Sequence, residues 1–129
     1  MGYVPSVRRQ IKRRSETVDK MWRCGVCGYI HEGEEAPDKC PKCGAPKEKF
    51  AEIAEADVEK ISGAVYTNSL HMTLHALLED VIDLAYAGIE DDLDPGCVDL
   101  FEKAVLRSSE LQQMIKAELA VHVDKGKWG

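Results

Sequence analysis

Two cysteine pairs constrain this chain more than any other feature. Cys24-Gly25-Val26-Cys27-Gly28 and Cys40-Pro41-Lys42-Cys43-Gly44 are each C-x-x-C followed by glycine, with twelve residues between them. Two residues between cysteines let both sulfurs of one tight turn reach a single ion about 2.3 Å away. Glycine after the second cysteine takes a positive φ without steric cost, which turns backbone N–H groups toward the sulfurs. Two such turns facing each other make a tetrahedral four-sulfur site, suited to zinc or to iron. The fifth cysteine, Cys97, stands alone, so an even framework of bridges is not the pattern. Its expected role is a buried spacer, with an inter-subunit or redox thiol as the alternative.

The segment carrying these pairs, residues 21–53, is dense in Gly, Pro, Cys and Lys, a loop-and-hairpin composition. About 30 residues cannot bury enough apolar surface to fold alone, so the metal is expected to stabilise the module. For structural zinc that contribution is roughly 10–16 kcal/mol. Trp22, Tyr29, Ile30 and Phe50 are the expected apolar cover, and His31 is expected at the surface rather than as a fifth ligand. The chain as a whole is 44% apolar and 31% charged, which excludes wholesale disorder.

Charge is unevenly placed. Residues 1–20 hold six Lys or Arg against two acids, and the rest holds eleven against twenty-one. The expectation is a flexible basic arm before an acidic body that repels phosphates, hence no nucleic-acid partner. Met1-Gly2-Tyr3-Val4-Pro5-Ser6 fits a loose acylation pattern that arises often by chance. No apolar stretch follows Arg8-Arg9, and no run approaches the roughly 20 apolar residues of a membrane span. A cytoplasmic protein with no membrane partner is therefore expected.

Residues 54–66 read as a mixed, partly acidic linker containing Ser62-Gly63. Beyond it the texture turns helical. Leu70, Leu74, Leu77, Leu78, Val81, Leu84 and Ala85 recur at three- and four-residue steps, predicting an amphipathic helix from about Thr67 to Gly88. A turn over Glu90–Gly96 follows, with Asp94 capping the next helix and Pro95 at its first position. That helix places Phe101, Ala104, Val105, Leu111, Ile115 and Leu119 on one stripe and ends near Gly126. Residues 67–125 thus form a helical hairpin. Each helix buries only one face within it, so a homodimer completing a four-helix bundle is expected.

The module resembles the short rubredoxin-like domain of rubrerythrins. The likeness runs through Trp22-Arg23-Cys24, Cys27-Gly28-Tyr29, His31-Glu32-Gly33, Ala36-Pro37, Cys40-Pro41-Lys42-Cys43-Gly44 and Lys47 with Phe50. The module precedes the helices, as in reverse rubrerythrins. The resemblance implies one iron per chain in an FeS4 centre held by Cys24, Cys27, Cys40 and Cys43. It also implies single-electron transfer with redox partner proteins, in the peroxide and oxygen defence of an anaerobe. The alternative is a zinc-ribbon adaptor for protein contact.

The helical half departs from that family. A di-iron centre needs Glu-x-x-His on two helices, and no Glu in this chain has His three residues later. Three of the four histidines nonetheless lie here. His71, His75 and Glu79 form a ladder at four-residue steps, with the latter two heading toward solvent, and Glu118 and His122 sit on the second helix. They are the candidates for a second metal or haem centre in a dimer, the peroxidase alternative. Pairing Gly88 with about Val98 sets His71 opposite about Ile115, some 10 Å along the axis from His122. No side chain is named as catalytic, which leaves an electron carrier as the reading ahead of an enzyme.

Overall fold

The computed structural model describes residues 20–129, so the expected basic arm lies, but for Lys20, outside the described residues. The chain divides into two compact units. One holds the residues up to Tyr66 together with Asp124–Gly129, and the other is Thr67–Val123.

In the first unit, strands β1 (Met21–Cys24), β2 (Ile30–Glu32) and β3 (Phe50–Glu52) form an antiparallel sheet in the order β2-β1-β3. The expected hairpin is therefore three-stranded. Phe50 closes the edge by pairing with Cys24, and Glu32 pairs with Met21. The side chain of Trp22 is half-buried and its indole N–H donates to the Gly33 carbonyl at 3.0 Å, so its polar end is satisfied.

Helix α1 (Glu55–Asp91) begins directly after the sheet. The linker expected at 54–66 is thus helix from Glu55 onward. Its first turn closes on the Ala54 carbonyl, which accepts N–H groups from Asp57 and Val58. Glu55 and Asp57 suit the positive end of the helix dipole. Val58 and Ile61 are buried against Met21, with Ile30, Ile53 and Val65 packed around them. That burial outweighs the helix-weakening pair Ser62-Gly63.

In the second unit, α1 does not stop at Gly88. It runs to Asp91 and ends where Asp92 takes a left-handed φ of 49°. Helix α2 (Pro95–Asp124) starts three residues later. Asp94 caps it as expected, its carboxylate accepting the Cys97 N–H at 2.8 Å. Replacing Asp94 by alanine should cost about 1 kcal/mol of helix stability. The same carboxylate is the main reason the Cys97 thiol is held above its ordinary pKa, ahead of burial and the charge of Asp91. Asp94→Ala should therefore also speed alkylation of Cys97, which thiol-trapping kinetics would read, and an unchanged rate would count against the cap. In this state Cys97 is half-buried, unbridged and a poor nucleophile.

The two helices meet along a seam different from the predicted stripe. Leu78, Ile82 and Ala85 are buried on α1, whereas Leu74, Leu77, Val81 and Leu84 are exposed. On α2, Ile115 is buried and Leu111 exposed. The apolar arc of α1 is wider than one neighbouring helix covers, and α2 takes one edge of it. The ring of Phe101 lies directly over Gly88, where a Cβ would collide with it. Gln112 spans the seam, its amide donating to the His75 carbonyl at 3.2 Å and to the Glu79 carboxylate at 2.8 Å.

Candidate metal centre

Both cysteine turns fold the same way, because the same residues recur in them. Cys24 N–H donates to the Tyr29 carbonyl and Gly28 N–H to the Cys24 carbonyl, at 2.8 and 2.9 Å. Cys40 N–H donates to Ala45 and Gly44 N–H to Cys40 over the same two distances. Gly28 and Gly44 adopt φ of 83° and 78°, the left-handed region that a Cβ disfavours. The Lys39–Pro46 bridge closes the second turn, and Gly25 N–H ties the first to the Lys49 carbonyl.

The four Sγ atoms lie within 4.8 Å of one another. Cys24 to Cys43 and Cys27 to Cys40 are each 3.6 Å. Four sulfurs placed tetrahedrally 2.3 Å from one ion would stand about 3.8 Å apart, so the set fits a single four-coordinate metal. The separations are far beyond a sulfur–sulfur bond, and all four thiols are free. Cys24 and Cys40, one from each turn, are buried, and Ala45, Tyr29 and Phe50 pack around them. Cys43 is exposed and Cys27 half-buried, so the centre sits at an edge of the unit. Two of the four expected cover residues do otherwise: Ile30 joins the Met21–Val58–Ile61 core, and Trp22 bonds Gly33. His31 lies across from Trp22 in the sheet, outside the sulfur cluster.

Backbone dipoles make the cluster ready for a cation. The N–H of Cys27, helped by that of Val26 and opposed by burial, lowers the Cys24 thiol to about 6. Burial works against ionisation of Cys40, and the N–H groups of Cys43 and Lys42 overcome it, lowering its pKa too. For Cys43 the Ala45 N–H favours the thiolate. Burial and the sulfurs of Cys27, Cys24 and Cys40 outweigh it and push the group up to about 12. Without a cation, like charge thus keeps the last proton in place. A bound divalent or trivalent ion removes that repulsion, and every thiol still protonated releases its proton on binding. Above about pH 6 Cys24 has no proton to lose, and below it does. Metal affinity should therefore rise with pH, with the slope of log affinity steepening by about one unit below about pH 6. Cobalt(II) titrations across pH 5–8 would read this, and a flat profile would contradict it.

The second set of candidate ligands does not gather. Among the described residues no other group of three or more His, Cys, Asp or Glu brings its ligand atoms together closely enough for an ion. His71 and His122 do approach, with ring centroids 6.1 Å apart in an edge arrangement. That corrects the expected separation. Because α1 runs past Gly88, the register shifts by about one turn, and Gly88 faces Phe101 rather than Val98. His122 donates from Nδ1 to the Asn68 side chain and lies 3.8 Å from Glu118. Glu79 is exposed, as expected, and its carboxylate accepts from Gln112; His75 is half-buried, and Gln112 bonds its main-chain carbonyl rather than its ring. These residues make a polar seam between helices, not a preformed second centre within one chain.

A family model described as the rubredoxin-like domain of rubrerythrin matches residues 22–51. That stretch contains all four clustered cysteines. Residues 22–51 are thus similar to the rubredoxin-like domain of rubrerythrins. Reverse rubrerythrin-1 of Clostridium acetobutylicum is 52% identical over 50 residues, which is 35% of this chain and 28% of that protein. Rubrerythrin of Nitratidesulfovibrio vulgaris is 59% identical over 29 residues, 22% of this chain and 15% of that protein. Rubrerythrin of Clostridium perfringens is 44% identical over 46 residues, 36% of this chain and 23% of its own. The likeness therefore spans under a third of each of these relatives. It covers the rubredoxin-like domain, and the family model stops short of the helices. Among the described residues no helix is long and apolar enough to cross a membrane.

Proposed function

We propose that the rubredoxin-like domain holds one iron through Cys24, Cys27, Cys40 and Cys43 and serves as a single-electron carrier. A mononuclear iron in four thiolates supplies a ferrous–ferric couple. The observation that supports this reading most is the arrangement of the four sulfurs at a tetrahedral spacing inside a segment that matches the rubrerythrin domain. The residues around them contribute in three ways. N–H groups of Val26, Cys27, Lys42, Cys43 and Ala45 aim at sulfur and offset its negative charge. Buried Cys24 and Cys40 anchor the site with Tyr29 and Phe50 against them, which limits water on that side. Cys43 and the apolar side chain of Val26, one from each cysteine turn, are exposed, which gives an edge where a redox partner can approach the sulfurs.

In this reading the electron passes on to a redox partner, with peroxide or oxygen defence as the setting; among the described residues the helices bring no di-iron ligand set together within one chain. Metal analysis and the visible spectrum of air-oxidised protein test the proposal. One iron per chain, with red ferric-thiolate absorption that dithionite bleaches, is the expected result. A colourless protein with one zinc per chain would overturn it and leave a structural zinc ribbon.

A further inference from the structure

The helical unit carries two seams, an inner one that mixes buried Leu78, Ile82, Ala85 and Ile115 with polar side chains and an outer one open to solvent. The inner one, where α1 and α2 meet, includes the buried polar residues Asn68, Ser108 and Gln112. The outer one is uncovered. On α1 it consists of Leu74, Leu77, Val81 and Leu84, and on α2 of Leu100, Leu111, Met114 and Val121, all exposed. Leu84 is 66% exposed, Leu100 64% and Met114 63%.

Each outer residue directly precedes an inner one. Leu77 precedes Leu78, Val81 precedes Ile82, Leu111 precedes Gln112 and Met114 precedes Ile115. One residue step is about 100° of helix rotation. Seen from one end, antiparallel helices turn in opposite senses, so the same backward step brings both outer seams to the same side of the hairpin. The result is one contiguous apolar face. These eight side chains expose roughly 700 Å², close to the ~800 Å² that each partner gives to a standard interface. It is also more than a monomeric surface ordinarily leaves open in one patch.

We propose that a second copy of this chain covers this face through a two-fold contact in which α2 lies antiparallel to the α2 of its partner. Charge placement on the face selects this occupant and this direction. The central stretch of the α2 outer seam, around Leu111 and Met114, is bounded by two charged positions, Arg107 and Glu118. Lys103, at the same helical angle as Val121, flanks it and pairs within its own helix with Asp99 at 2.7 Å. Arg107 lies four residues before Leu111, and Glu118 lies four residues after Met114, so they are equidistant from the centre of the seam. In an antiparallel two-fold contact, Leu111 meets Met114 of the partner subunit and Arg107 meets Glu118 of the partner subunit, twice. The outer seam of α1 carries no charge and meets its own copy. Docking α1 against the other subunit's α2 would instead set both charges against leucine, uncompensated. In the single chain Arg107 pairs with Glu110 at 3.0 Å and Glu118 lies near His122, contacts between exposed groups that rearrange at little cost.

This proposal is independent of the metal the cysteines hold. It is tested on the full chain, under reducing conditions, by sedimentation and light scattering at micromolar concentration. The expected mass is twice that of the chain. Arg107→Glu and Glu118→Arg should each raise the dimer dissociation constant on the order of tenfold, and the double reversal should restore it. Leu77→Asp combined with Leu111→Asp should give a monomer whose metal-centre absorption is unchanged. A monomeric wild-type chain, a larger assembly, a dimer indifferent to the aspartate pair, or single reversals that the double does not rescue would each overturn it.

Discussion

Replacing Cys40 with alanine should strip the metal and unfold the sheet of the first unit. Cys40 is 3% exposed, its sulfur lies 3.6 Å from that of Cys27, and its N–H and C=O groups close the second turn. The three strands are four, three and three residues long, too little sheet to stand alone. A structural tetrathiolate ion contributes roughly 10–16 kcal/mol at neutral pH, more than a module of this size has in reserve. Amide exchange would show loss of protection across residues 21–52, while helical residues 67–123 retain theirs. Metal content should fall well below one ion per chain. Native protection without metal in Cys40→Ala would show that packing, not coordination, holds the module.

Ile61→Ala should be the most damaging change away from the sulfurs. Ile61 is 1% exposed and joins Met21 and Val58 in the core that fastens the sheet to the first turns of α1, with Gly129 also against it. Removing three carbons there forfeits burial and leaves a cavity that the surrounding strands cannot fill. The expected cost is about 2–5 kcal/mol. Denaturant unfolding of metal-loaded protein, followed in the first unit, measures it. A loss under about 1 kcal/mol would mean that the segment before Tyr66 is not held by this core.

Legibility in the sequence followed the range of the interactions. The cysteine turns could be read because spacing, glycine and thiolate chemistry are all local, and the structure places the four sulfurs together. The Asp94 cap and Pro95 start could be read for the same reason. The segment 54–66 could not. Ser62-Gly63 weakens a helix locally, and only contact of Val58 and Ile61 with Met21 makes helix the better state there. The histidines on the hairpin were misplaced because their separation depends on where α1 ends. Three further residues, from Gly88 to Asp91, moved the facing register enough to bring His71 and His122 together.

Sequence alone determined the donor set of the metal centre and the presence of two amphipathic helices, since thiolate spacing and helical periodicity are properties of neighbouring residues. Tertiary structure decided which edge of the broad apolar arc on α1 meets α2 and which is left open. Periodicity marks an apolar arc but not its partner. The choice belongs to contacts between residues distant in the chain, Phe101 over Gly88 and Gln112 across to Glu79.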